Sequence, residues 1–383
     1  MATLSHRERA LMALNHQETD RVPIDIGGAL PTQIDSAPYS QLVELLGLQA
    51  TEPMAASVVG GFVAVIPSEE VLTALDVDFR GVSLSPPLRS PNVFLDENSY
   101  RDEWGVVWVR GSEGHPFIDR LGPFQEREPS LGDLERYPWP DPKDPGRYSG
   151  LRERVMALRR ETDSAIVLNL PYCVLRELQR MRGFENGMAD LLVNPALAEG
   201  IMEHVTMVSA GIAESALQEV GDLVDVVMFP EDMGTQEQLF MRLDLYRRML
   251  KPYHRRMVEA IKRKTRAKVL IHSDGAIRDI IGDFIDIGID ALNPVQVSAR
   301  GLGDTRKLKA EFGKDICFWG AIDTHRVLPY GTPEDVAAEV RMRIDHLAKG
   351  GGYVLASVHT INSEVPGANV LAMVETARNY RLS

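Results

Sequence analysis

Eight short apolar runs, most of them separated by amphipathic helical patterns, constrain this chain more than any other feature of its sequence. The runs are Val22–Ile26, Val77–Leu84, Ala165–Leu170, Val224–Phe229, Lys268–His272, Asp290–Pro294, Ile316–Gly320 and Tyr353–Ser357. Helical patterns follow in Leu245–Lys264, Ile277–Ile287, Thr305–Phe312 and Pro333–Lys349. Strands that read as nearly continuous apolar runs are covered on both faces, as in parallel sheets flanked by helices. Eight such units are the arithmetic of an α/β fold of the (β/α)8 TIM-barrel type. An open doubly wound sheet of eight strands is the alternative.

The first helix is marked by Ser5 and Glu8, spaced as a reciprocal capping box, with Ala10, Leu11 and Leu14 on an apolar face and Arg7, Glu8 and Arg9 facing away. Residues 91–140 break the alternation. Trp104–Val109 reads as one arm of a β-hairpin, and Pro116, Pro123, Pro129, Pro138 and Pro140 mark a proline-rich crossing. We read residues 1–383 as a single domain carrying this hairpin excursion near one mouth of the barrel. The formal net charge is −13, which disfavours a nucleic-acid partner, because affinity for a polyanion comes from clustered Lys and Arg. Cys173 and Cys317 are the only cysteines, so no disulfide framework is implied. The opening stretch lacks the apolar core of a signal peptide and no run is long enough to span a membrane, so a cytoplasmic location is expected.

In a (β/α)8 barrel the chemistry sits at the carboxyl ends of the strands. Five successive runs finish there in acids, imidazoles or amides: Glu231 and Asp232 with Gln236, His272 and Asp274, Asn293 and Gln296, Asp323 with His325, and His359 with Asn362. Any one of these also reads as a turn or helix cap. Together they are costly to desolvate unless they bind something. His272 and Asp274, two apart on an extended segment, point to one face as two metal ligands would. His359 supplies a third ligand from the last strand, and Glu231 or Asp232 a fourth. Imidazole and carboxylate without thiolate suit Zn²⁺ with an open site, and Fe²⁺ or Mn²⁺ also fit. A His–Asp pair orienting a substrate without metal is the competing reading. Glu231, Asp232 and Asp323 are the candidate catalytic residues. Asn293, Gln296, Gln236, Asp78 and Trp104 are the candidate substrate contacts. His6, His16, His204, His254 and His346 lie on helical patterns and read as packing or surface residues.

The chain resembles the uroporphyrinogen decarboxylase-like superfamily along nearly its whole length. The carrying stretches are Arg7–Pro23, Asp76–Arg80, Asp102–Gly105, Glu231–Gln236, Ile287–Gln296, Phe318–Asp323 and Leu328–Pro333. The resemblance implies a (β/α)8 barrel and a plausible homodimer. True uroporphyrinogen decarboxylases carry an arginine-rich segment near the N-terminus for the tetrapyrrole carboxylates, whereas the matching Ile24–Gln33 has no arginine. The other branch looks like the corrinoid-dependent methyltransferases, which hold zinc through a His-x-Cys pair and a later Cys. Onto that pattern His272 matches the histidine, Asp274 replaces the first cysteine and His359 the second. An all-N/O site is harder and suits an ether or alcohol oxygen rather than a thiol. The expected activity is therefore methyl transfer from a small methoxylated substrate to a corrinoid protein or tetrahydrofolate. A cofactor-free decarboxylase or lyase acting on a small acid is the alternative. Asp323-Thr-His325 begins a corrinoid-binding pattern, but Leu328 stands where glycine is needed, so the corrinoid is not held by this chain.

Overall fold

The apolar runs are apolar at successive positions because each is covered on two sides. In the computed structural model, which describes residues 4–49, 55–59, 62–111, 117–171 and 173–381, seven of the eight runs form one curled parallel sheet. Its strands are β1 (Phe79–Ser83), β2 (Ala165–Asn169), β3 (Val226–Pro230), β4 (Lys268–His272), β5 (Ala291–Asn293), β6 (Cys317–Ile322) and β7 (Tyr353–Ser357), in sequential order. Alternate residues fall into two separate apolar clusters, as the two-residue period of a strand requires. Phe79, Val167, Met228, Leu270, Trp319 and Ala356 pack together inside the curl. Ile166, Val227, Ile271, Leu292, Phe318 and Leu355 join the outer layer with the helices. Burial of each large side chain contributes about 1.5–3 kcal/mol.

The expected first strand, Val22–Ile26, is not a regular strand. Pro23 has no N–H, and the Ile24 N–H donates to the Asp78 carboxylate at 2.7 Å instead of to a ladder. The segment still joins the two edges of the sheet. The Asp25 N–H donates to Leu355 O, and the Asp78 N–H donates to Ile24 O, each at 2.9 Å.

The helix α1 (His6–Leu14) begins with the full capping box of Ser5 and Glu8. Its Ala10 and Leu14 enter the inner cluster and plug the amino end of the curl. Arg9, expected to face away, is buried instead. It donates to Asp78 Oδ1 at 2.7 Å and to Asp20 Oδ1 at 2.7 Å, while Arg21 donates to Asp78 Oδ2 at 2.6 Å. Asp78 immediately precedes β1, so it lies at the amino ends of the strands, fully buried between two guanidinium groups. Its expected role as a substrate contact does not survive this placement, at the end of the sheet opposite His272.

The Leu245–Lys264 pattern is two helices, Leu243–Met249 and Lys251–Lys262, because Pro252 at the start of the second cannot donate back into the first. Ile277–Ile287 is a 3₁₀ turn, Arg278–Ile280, followed by Ile281–Asp286. The strands Ile34–Asp35, Ala55–Val59 and Phe62–Ile66 form a small antiparallel sheet that the pattern did not announce. Residues 93–121 contain a four-stranded antiparallel sheet of Val93–Asp96, Ser99–Arg101, Val107–Arg110 and Phe117–Leu121. Trp104 sits in the turn before the third of these, where Asp102 Oδ1 accepts from the N–H groups of Trp104 and Val106. Pro116 lies outside the described residues. No helix among the described residues is long and apolar enough to cross a membrane.

Replacing Asp78 with Asn leaves two buried guanidinium groups without their shared counter-charge, and breaking a buried pair of this kind costs about 3–5 kcal/mol. Urea unfolding of Asp78→Asn checks this, and a loss below about 1 kcal/mol contradicts the assignment. Burial acts to raise the Asp20 carboxyl, but Arg9 takes it down to about 2. A carboxyl depressed in the folded state stabilises it above the unfolded value, and that contribution disappears as pH falls from about 4 toward 2. Acid unfolding of wild type in that window, with a flatter profile for Asp20→Asn, is the expected result.

Candidate metal centre at the carboxyl ends of the strands

Strand register sets this site. Pro230 pairs with His272 across β3 and β4, and His272 pairs with Asn293 across β4 and β5. His272 and Asn293 are the last residues of their strands, so one row of the sheet delivers both at its carboxyl end. Asn293 Nδ2 donates to Trp319 O at 3.3 Å, which turns the Asn293 amide oxygen toward His272. That oxygen accepts from His272 Nδ1 at 2.6 Å, leaving Nε2 as the basic nitrogen. The Asn293–Pro294 peptide is cis.

His272 Nε2 faces two carboxylates. It lies 3.7 Å from Asp274 Oδ2 and 3.8 Å from Asp232 Oδ1. His359 Nε2, from the loop after β7, stands 3.8 Å from the same Asp274 Oδ2. One donor atom each from His272, Asp274 and His359 fall within 4.8 Å of one another. Donors around a tetrahedral Zn²⁺ at roughly 2.1 Å stand about 3.4 Å apart, so a small contraction brings this trio to bonding distance. Asp274 Oδ1 is buried with no hydrogen-bond partner among the described residues, an expensive state for a carboxylate that a cation would relieve. Burial pulls the His359 imidazole below its usual value against the upward pull of Asp274, which keeps it neutral and able to ligate. Burial acts to raise the Asp232 carboxyl, yet His272 and Arg176 take it below the usual carboxylate range. The residues present fit a divalent metal.

The Asp274 loop is held close by glycine. Gly275 has φ +94°, and a Cβ there would meet Gly234 backbone at 2.4 Å, so the loops after β3 and β4 touch only because no side chain intervenes. The Gly275 N–H donates to Gln296 Oε1 at 2.6 Å and the Asp274 N–H donates to Asp232 Oδ1 at 3.2 Å.

Other candidates have different roles. Asn293 and Gln296 are buried and support the cluster, Asn293 through His272 and Gln296 through the Gly275 N–H. Glu231 is fully buried and accepts from the N–H groups of Val174 and Leu175 at 2.7 and 3.0 Å and pairs with His254 Nε2 at 3.2 Å. It anchors the start of the helix Val174–Arg182, and no space for a substrate remains around it. Asp323 closes its own turn by accepting the His325 N–H at 2.7 Å. Gln236 is exposed, with its backbone carbonyl accepting from the Arg300 N–H. Trp104 is buried against Trp139, with ring centroids 6.3 Å apart, and is core. Cys173 and Cys317 are buried, and burial pushes both thiols up, which disfavours the thiolate form. Sequence reasoning missed Arg176, whose Nη1 donates to Asp232 Oδ2 at 2.9 Å. Its signal was position, in the first turn of the helix that follows β2.

Comparison with known proteins gives a consistent family. The uroporphyrinogen decarboxylase (URO-D) model matches residues 117–380. A uroporphyrinogen decarboxylase from Chlorobium limicola is 30% identical over 138 residues, covering 34% of this chain and 36% of that relative. Another from Chlorobium phaeobacteroides is 26% identical over 182 residues, covering 45% of this chain and 48% of the relative. The chain thus matches only between about a third and a half of the length of these curated relatives. A solved methyltransferase from Methanosarcina mazei shares the fold with a TM-score of 0.65 at 17% identity, covering 98% of this chain and 99% of that one. With a family model spanning most of its length, the chain belongs to the uroporphyrinogen decarboxylase family.

Proposed function

We propose that this chain is a metal-dependent methyltransferase that removes a methyl group from a small methoxylated substrate and passes it to a corrinoid protein or to tetrahydrofolate. The observation that carries the reading is the meeting of His272, Asp274 and His359 within 4.8 Å at the carboxyl ends of the strands. Three N/O donors with no thiolate match an oxygen substrate, and the fold likeness to a protein named as a methyltransferase agrees with that chemistry. A divalent metal held by His272, Asp274 and His359 would supply Lewis acidity toward an ether oxygen. The chain's own residues do the rest. Asn293 holds the His272 tautomer, Gln296 and Gly275 fix the Asp274 loop, and Asp232 stays charged beside the pair. The loop corresponding to the tetrapyrrole-binding segment turns back on itself, with the N–H groups of Gly28 and Ala29 donating to Asp25, and offers no cation to a polycarboxylate.

A second reading, decarboxylation of a small acid without metal, is favoured by the family and by the ionised Asp232 beside Arg176. Release of CO₂ by metal-stripped protein would put it first.

Elemental analysis of metal-replete protein should find near one equivalent of zinc, iron or manganese, lost in His272→Ala, Asp274→Ala and His359→Ala. Protein with no metal after such expression rejects the proposal. Asn293→Ala should retain the fold yet weaken metal affinity by roughly 10–100-fold, the usual consequence of losing the group that orients a ligating histidine. Competition with a chromophoric chelator checks this, and an unchanged affinity contradicts the role of Asn293.

A further inference from the structure

Beside Asp232 lies a cleft of about 370 Å³ between the strand Phe117–Leu121 and the helix Val174–Arg182. That volume suits a small ligand. The chain carries a formal charge of −13, yet the cleft gathers Arg120, Arg176 and Arg180 against Asp119 and Asp232. Phe184 and Phe240, in edge-to-face contact with centroids 5.8 Å apart, give it an apolar wall.

Arg180 is the fixed cation of this cleft. Its guanidinium lies 4.9 Å over the Trp108 ring, which is itself stacked on Tyr100 and held by Trp108 Nε1 donating to Asp102 Oδ2 at 2.7 Å. Its Nη1 donates to Glu177 Oε1 at 2.7 Å. Glu177 is an incomplete counter-ion, because its Oε2 is buried without a hydrogen-bond partner among the described residues and burial pushes its carboxyl up. Stacking and the ion pair to Glu177 restrict the Arg180 rotamers, and among the described residues its other N–H groups have no hydrogen-bond acceptor, the arrangement in which a guanidinium reads a carboxylate with two parallel hydrogen bonds. Arg176 stands between this cleft and the metal cluster, tied to Asp232 at 2.9 Å.

We propose that the cleft binds a small ligand through a carboxylate, that Arg180 is the residue which reads that carboxylate, and that the ligand's apolar body lies against Phe184 and Phe240. The assignment rests on the proposed metal reaction only for which end of the ligand reacts, the end opposite the carboxylate being the one directed toward Asp232, the member of the cleft lining nearest the cluster.

Isothermal titration calorimetry of the full chain with benzoate, and with benzamide as its uncharged analogue, tests this. Benzoate should bind at least tenfold more tightly than benzamide. The double variant Glu177→Gln/Arg180→Gln, which removes both charges together, should weaken benzoate at least tenfold, leaving benzamide binding and metal content unchanged. Arg180→Lys keeps the charge pair for folding but loses the fork, and should weaken benzoate by several-fold. Equal affinity for the two probes, no benzoate binding at millimolar concentration, or benzoate affinity unchanged in Arg180→Lys overturns the proposal. Metal measured on the same samples separates this failure from failure of the metal site.

Discussion

Parallel register is the constraint on which this molecule depends. Once Pro230, His272 and Asn293 are aligned across three neighbouring strands, the inner and outer apolar faces are fixed, because a slip of one residue would exchange them. The same alignment places an imidazole beside the amide that orients it. The site is therefore a consequence of how the sheet is paired, and the loops add the other two candidate donors, Asp274 and His359.

The two ends of the sheet are specialised in opposite ways. At the amino end, Asp78 is saturated by Arg9 and Arg21, and α1 closes the curl with Ala10 and Leu14. At the carboxyl end, polar groups are left under-satisfied: Asp274 Oδ1, Ser273 Oγ and Ser357 Oγ are buried without hydrogen-bond partners among the described residues. Unpartnered buried atoms occur elsewhere too, at Thr206 Oγ1 and Ser209 Oγ in a helix, but at the strand ends they lie beside the clustered imidazoles and carboxylate. Saturation at one end and deficit at the other is how a barrel-type scaffold separates stability from function.

Much of this was legible in the residues. Seven of the apolar runs are strands, and the strand-end rule brought His272, Asp274 and His359 forward from distant parts of the chain. The failures have physical causes. Neighbours such as Glu231 and Asp232 look alike in sequence, but one faces inward to cap a helix and the other faces the cluster. Asp78 precedes its strand instead of following it, a clue that was present and outweighed by residue type. Trp104 reads as a substrate contact because indole suits both pockets and cores, and only packing against Trp139 decides between them. Arg9, Arg176 and Arg180 sit on amphipathic helices, where a cation ordinarily belongs to solvent; each is instead drawn in by a carboxylate from elsewhere in the chain or from its own helix.

The central claim is that a metal is held here by two imidazoles and one carboxylate. Substitution with Co²⁺ tests it most directly, because the visible spectrum reports both geometry and donor type. One bound Co²⁺ is expected, with the d–d bands of a four- or five-coordinate N/O site, no thiolate charge-transfer band, and loss of the spectrum in His272→Ala. A thiolate band, an octahedral aqua-type spectrum, or binding that survives His272→Ala would contradict it.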